Sequence, residues 1–237
     1  LADFDPSEHS GEKVWLAADL SATTDMTALG FLVETGKVEV EREDGVSLQP
    51  PYDLWVECWT PGDTLAERSL RDRVPYSEWA DAGQLNVTRG RVVRMDYVAA
   101  RIAEAQQDYE VVFCAYDAYA FRKNFEEALD DVGVTVELVE HPQGGKRKAA
   151  ASGLWMPGSV RDFEQMVYEK RIRIRRNPVT ILAIMSVALE ADPFDNRWLS
   201  KRRSVNRIDA AVAAVMVVGA ATSEPDHEYQ LLILGAA

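Results

Sequence analysis

Apolar and polar residues follow two rhythms along this chain, and the changes of rhythm mark out most of its elements. Val14–Leu20 (VWLAADL), Met26–Thr35 (MTALGFLVET) and Tyr52–Trp59 (YDLWVECW) are apolar or alternating runs of strand length. The first two flank the turn-like SATTD and are expected to pair as a hairpin. Glu39–Pro51, with its charges, Gly45 and two prolines, reads as a loop or hairpin tip. Helical spacing follows in Thr64–Val74, which Pro75 should close, and in the short Tyr76–Gly83. Gln84–Gly90 reads as a brief extended piece, and Asp96 as the N-cap of a helix that buries Val98, Ile102 and Ala105.

From Glu110 the pattern runs strand, helix, strand. EVVFCAYD ends at Asp117, an amphipathic helix carries Phe121, Phe125 and Leu129 and stops at Gly133, and VTVELVEH ends at His141. That order implies parallel pairing with helices packed on the faces. Pro142–Leu154 is a polar, Gly-rich, basic loop. Ser159 is expected to cap the next helix, Pro178 to open another, and a last helix, apolar nearly all round and therefore buried, to begin near Ile208. YQLLILGAA at the C-terminus reads as a final strand or an ordered tail. The expected fold class is one α/β domain with a central mixed β-sheet flanked by α-helices, over 14–237, with residues 1–13 as a linker or tail.

Composition changes this picture little. A chain of 237 residues with 47% hydrophobic and 27% charged residues can bury a core of ordinary size. No apolar run approaches the roughly 18 residues needed to cross a membrane, and the N-terminus lacks the basic and apolar regions of a signal peptide. No membrane partner and a cytoplasmic setting are expected. Cys58 and Cys114 lie inside strand-like runs and are expected to be buried and unpaired. The three histidines fit no zinc spacing, so any metal should be a hard cation held by oxygens.

Charge changes it more. The net charge of −13 opposes phosphate binding, yet cations crowd three segments: Lys146, Arg147 and Lys148; Lys170, Arg171, Arg173, Arg175 and Arg176; and Arg197, Lys201, Arg202, Arg203 and Arg207. A charge run is usually a solvated face, but three of them predict an anion-binding surface in the C-terminal half.

The candidate chemistry is acidic. Strand alternation puts Trp15, Ala17 and Asp19 on one side, so Asp19 ends a buried face. Parallel pairing of the first strand with EVVFCAYD would bring Asp19 beside Asp117, at the edge where open α/β sheets carry their sites. Asp209 opens the last helix. Converging carboxylates repel unless a cation sits among them. Two Mg2+ or Mn2+ ions about 4 Å apart would supply that charge and could hydrolyse a phosphodiester without a protein nucleophile. Taken singly, each of these aspartates is as readily a cap or a solvated rim residue.

Five motifs, in order, resemble a known family. AADLSATTDMTALGF, LAERSLRDRVPYSEWADAGQL, VVFCAYDAYAF, RNPVTILAIMSVAL and SVNRIDAAVAAVMV are similar to the nuclease domain of the large terminase subunit of tailed bacteriophages. The resemblance covers roughly 14–221 and implies an RNase H-like fold. It implies that Asp19, Asp117 and Asp209 are a metal-binding catalytic triad, with Asp25 as an additional acidic position that assists a second metal. It also implies cutting of concatemeric double-stranded viral DNA during genome packaging in the host cytoplasm, transiently at the procapsid portal.

Partners implied are double-stranded DNA, an ATPase motor domain of the same polypeptide, the portal protein and a small terminase subunit. The chain has no GxxxxGK[ST], and QGGKRKA lacks its spacing, so the motor is expected outside this chain. Clustering alone nominates Lys146, Lys148, Lys201, Arg202 and Arg203 for DNA-backbone contacts. Two other readings share these residues: a docking or DNA-binding module largely inactive without its motor, and another RNase H-like nuclease such as a resolvase or transposase.

Overall fold

The structure is a computed structural model that describes residues 1–20, 26–43, 45–117, 122–145 and 152–223, with Arg122 described by its backbone alone. In chain order the elements are β1 (Lys13–Asp19), β2 (Thr27–Glu34), β3 (Val38–Arg42), β4 (Gly45–Gln49), β5 (Tyr52–Pro61), α1 (Leu65–Asp72), α2 (Tyr76–Asp81), β6 (Asn86–Thr88) and α3 (Met95–Asp108). They continue with β7 (Glu110–Tyr116), α4 (Arg122–Asp131), β8 (Leu138–Glu140), α5 (Met156–Tyr168), β9 (Ile172–Ile174), α6 (Pro178–Ser186), β10 (Leu189–Ala191), β11 (Arg197–Leu199) and α7 (Asp209–Thr222).

Among the described residues the main sheet runs β6-β5-β2-β1-β7-β8, with β9 pairing the same edge of β5 as β6. β1, β2 and β5 form an antiparallel meander, and β7 and β8 join β1 in parallel. Numbering the central five strands by sequence, the order is 3-2-1-4-5, the RNase H-like arrangement of a mixed sheet. The expected hairpin tip is the separate β3-β4 ribbon.

Period-2 alternation divides the core in two. Leu16, Ala18, Leu29 and Phe31 face Val98, Ile102, Phe125 and Leu129 of α3 and α4. Trp15, Ala17, Ala28 and Leu32 face the other side, where α7 lies with Asp209 to Ala221 buried throughout. An all-apolar helix is what a fully enclosed position requires. Its Ala- and Gly-rich surface permits close approach: a Cβ on Gly30 of β2 would lie 2.8 Å from the Ala213 carbonyl oxygen. Each fully buried Leu or Phe here contributes about 1.5–3 kcal/mol. Cys58 and Cys114 are buried and unpaired, as expected. No helix among the described residues is long and apolar enough to cross a membrane.

Several local expectations are corrected. Asp96 is the second residue of α3, behind Arg94 at the N-cap, and pairs with Arg94 at 2.7 Å. Ser159 lies within α5, where its hydroxyl meets His141 Nε2 at 2.8 Å; Asn177 caps α6 instead. The segment before Lys13 is packed, not a free tail. Ala2 bridges Arg175, Phe4 meets Trp55 edge-on, and His9 Nε2 reaches the fully buried Asp53 at 3.0 Å. Phe4 and His9 find their partners on β5, which a polar composition does not reveal. The C-terminal YQLLILGAA lies outside the described residues.

Candidate metal and phosphodiester site

β1 ends at Asp19 because the strand's buried face runs out there, and the carboxylate is left at the rim with only 1% exposure. Along the row across the sheet its neighbours are Ala28 and then Cys58, both small enough to leave it room. The position of Asp117 depends on an irregularity. Val14 pairs with Val111, but Leu16 pairs with Cys114, so β7 carries one extra residue against β1. Beyond that bulge the register is Ala17 to Ala115 and Ala18 to Tyr116, where β7 ends, and Asp117 is the next residue of the chain. Without the bulge, Asp19 would face Tyr116.

Asp209 is the first residue of α7, 4% exposed. A carboxylate in a helix's first turn is favoured by the backbone dipole. Burial nonetheless raises the Asp209 pKa above its ordinary value, with the neighbouring charge of Asp19 adding to the effect and Lys201 opposing it. Lys201 Nζ donates to Asp19 Oδ1 at 2.9 Å and to Asp209 Oδ1 at 3.0 Å, and lies 2.7 Å from Asp19 Oδ2. Burial would lower the Lys201 pKa, but attraction to Asp19 and then Asp209 outweighs it, so it stands above the usual lysine value. One ammonium thus fills the place between two buried carboxylates that a hard cation would take.

Gln143 completes this corner, its Nε2 donating to Asp19 Oδ1 at 2.8 Å. The loop carrying Lys201 is anchored from behind. Ser204 Oγ donates to the Ser200 carbonyl at 2.8 Å and accepts from Ala188 N at 3.0 Å, and Asn206 Nδ2 donates to Ser186 Oγ at 3.0 Å.

Of the residues nominated from sequence, Asp19 and Asp209 are joined through Lys201, and Asp117 follows on the adjacent strand. No group of three or more His, Cys, Asp or Glu is gathered for a metal among the described residues. Asp25, Lys146 and Lys148 lie outside them. Lys201, nominated for a DNA-backbone contact, is bonded here to both carboxylates. Arg202 and Arg203 approach Glu190, each at 3.4 Å, with side chains 80% and 61% exposed. Gln143 carried no signal beyond its place in the Gly-rich loop.

The basic segment at 170–176, expected to help bind anions, is largely neutralised internally. Arg171 donates to Glu169 at 2.6 Å, Arg173 makes a two-bond fork with Asp53 at 2.6 and 2.5 Å, and Arg176 meets Asp3 at 3.0 Å.

Beside the carboxylate pair lies a cleft of about 380 Å³, lined by Arg71 and Asp72 of α1 and by Lys201, Asn206, Arg207 and Asp209. Arg71 holds Asp72 through two bonds, at 2.7 and 3.1 Å, and Tyr76 donates its hydroxyl to Asp72 at 3.3 Å. Burial pushes the Asp72 carboxyl up, but Arg71 and then Arg207 outweigh it and hold the group below its ordinary value. Asp72 therefore feels both cleft arginines.

A family model described as "Terminase large subunit, endonuclease domain" matches residues 2–224. The chain belongs to the terminase large-subunit endonuclease-domain family. It is 34% identical over 211 residues to the large terminase subunit of Enterobacteria phage HK97, an alignment spanning 89% of this chain and 38% of that protein. The crystal structure of the HK97 bacteriophage large terminase superposes with a TM-score of 0.74 at 32% identity, covering 90% of this chain and 40% of that one. The large terminase nuclease from thermophilic phage G20c gives a TM-score of 0.48 at 10% identity, covering 91% and 83%. This terminase nuclease domain thus spans about two fifths of the HK97 relative. Membership sets aside the resolvase and transposase readings.

Proposed function

We propose that this chain is a divalent-metal-dependent endodeoxyribonuclease domain that cuts concatemeric double-stranded viral DNA during genome packaging. The observation that carries the reading is the pair of buried carboxylates, Asp19 and Asp209, closed over a single cation at the end of β1, whose parallel neighbour β7 stops one residue before Asp117. The donors are hard oxygens, and they already hold a positive charge, which fits Mg2+ or Mn2+. Two such ions would supply charge to the phosphodiester oxygens and bring water's pKa toward neutrality.

The chain's own residues have defined tasks in this reading. Asp19, Asp117 and Asp209 would hold the ions, and Asp25 would assist them. Gln143 fixes the orientation of the Asp19 carboxylate by its 2.8 Å bond. Lys201 must leave the carboxylates for a metal to enter, and its side chain, 45% exposed, has solvent to move into. Lys146, Lys148, Arg202 and Arg203 contact the DNA backbone, which positions the duplex without reading its sequence. Choice of site then comes from a small terminase subunit. An ATPase motor on the same polypeptide and the portal protein are the remaining partners, in the host cytoplasm and at the procapsid. Residues 14–237, with the packed segment before Lys13, are the catalytic domain.

A second reading rests on Lys201: with the carboxylates held by an internal ammonium, the isolated domain is a docking or DNA-binding module that stays quiescent until joined to its motor. Plasmid nicking in manganese separates the two. Cutting that Asp117→Ala abolishes is the expected result; intact plasmid at high protein concentration overturns the nuclease reading for the isolated domain and leaves the docking one.

A further inference from the structure

The cleft beside the carboxylates contains cations that the catalytic reading does not use. Arg71 of α1 and Arg207 line one space of about 380 Å³, together with Lys201 and Asp209. From this arrangement we infer that Arg71 and Arg207 form a subsite for a phosphate of the DNA backbone next to the scissile one. The inference rests on the nuclease reading for the name of its ligand, but its geometry is independent of the metals.

Three observations carry it. The first is cation density: Arg71, Lys201 and Arg207 all line this cleft, in a chain whose net charge is −13. The second is Arg68, only 1% exposed, which donates one bond to Thr60 and lies 5.6 Å from the Tyr76 ring centre. Its Nε and Nη2 have no hydrogen-bond partner, and burial lowers its pKa, with Arg207 and Arg71 adding to that and Tyr76 and Asp72 opposing it. A buried guanidinium pressed by two others is costly, and an anion between the walls offsets that cost. The third is preorganisation. The Asp72 fork holds the Arg71 guanidinium in place at the helix end, with Tyr76 bracing Asp72. A planar, pre-oriented guanidinium suits two-point phosphate recognition. Arg71 and Arg207 are positioning residues here, since they hold the strand and do not touch the reacting atoms.

The test uses this chain and a fluorescein-labelled random-sequence duplex, without divalent metal, followed by anisotropy across a salt series. The double variant Arg71→Gln/Arg207→Gln should weaken binding about tenfold or more and reduce the slope of log K against log[salt] by about 2. The milder pair Arg71→Lys/Arg207→Lys keeps both charges; it should keep the slope and lose part of the affinity. Arg176→Gln, beside Asp3 at the N-terminal segment, is the control. In manganese-driven cleavage the double variant should raise KM and leave kcat nearly unchanged. A folded double variant with wild-type affinity and slope, or one no weaker than Arg176→Gln, overturns the subsite. Failure of the nuclease reading looks different: plasmid stays intact, or Asp117→Ala cuts as well as wild type, while duplex binding still depends on Arg71 and Arg207.

Discussion

Two basic segments, 170–176 and 201–207, look alike in sequence and have opposite fates in the fold. The first carries Lys170, Arg171, Arg173, Arg175 and Arg176, and its guanidiniums are tied to Glu169, Asp53, the Phe4 carbonyl and Asp3. The second places Lys201 between Asp19 and Asp209, leaves Arg202 and Arg203 largely exposed, and lines a cleft with Arg207. The first run fastens the N-terminal segment and the β3-β4 ribbon to the domain; the second borders the chemistry. A cluster of like charges therefore identifies a surface only after its buried partners are known.

The widest separation between the segments should appear in catalysis. Asp209→Asn removes a carboxylate that Lys201 contacts and should lower manganese-dependent nicking by several kcal/mol of barrier, roughly a thousandfold or more. Arg173→Ala, in the other segment, should leave nicking unchanged. Its effect belongs to stability: Asp53 is fully buried and would keep only His9, so urea denaturation should show a loss of roughly 2 kcal/mol. That figure is set below the full cost of breaking a buried pair because Arg173 is 59% exposed. Equal effects of both variants on nicking would erase the comparison.

Acid should also act on the first segment. Hydrogen bonds from Arg42, with further help from Gln165 and Arg171, hold the Glu169 carboxyl down to about 2 against an ordinary 4.5. A depressed carboxyl contributes stability that is complete above its unfolded pKa, so this contribution should fade as pH falls from 4.5 toward 2. Denaturation midpoints measured over that window should fall less steeply in Glu169→Gln than in wild type. The smallest effect is expected at Arg202 and Arg203. Each is an exposed partner of Glu190, and replacement by Ala should change stability by no more than about 0.5 kcal/mol, while lowering the salt slope of duplex binding by about 1.

Much of the fold was legible because it depends on periodicity. The strand ends at Asp19 and Asp117, the amphipathic faces of α3 and α4 and the all-apolar α7 follow from local spacing. The parallel order of β1, β7 and β8 follows from the strand-helix-strand pattern. What escaped was set by tertiary partners. Asp96 reads as a cap until Arg94 is seen to take that position, and Ser159 reads as one until His141 is found against its hydroxyl. The register shift between β1 and β7 leaves no trace in an apolar run such as EVVFC. At the site, the acids could be nominated singly, while Lys201 could be nominated only for DNA contact and Gln143 not at all. Both reach Asp19 from loops more than a hundred residues away, and nothing in their local sequence distinguishes them from solvated side chains.

The central claim is that Asp19, Asp117 and Asp209 hold catalytic metal at the end of the sheet. Anomalous diffraction from crystals of this chain soaked in manganese tests it most directly. The account predicts peaks among these three carboxylates, with the Lys201 ammonium displaced from between Asp19 and Asp209. A map with no anomalous density there, with Lys201 still bonded to both aspartates at saturating manganese, would contradict it.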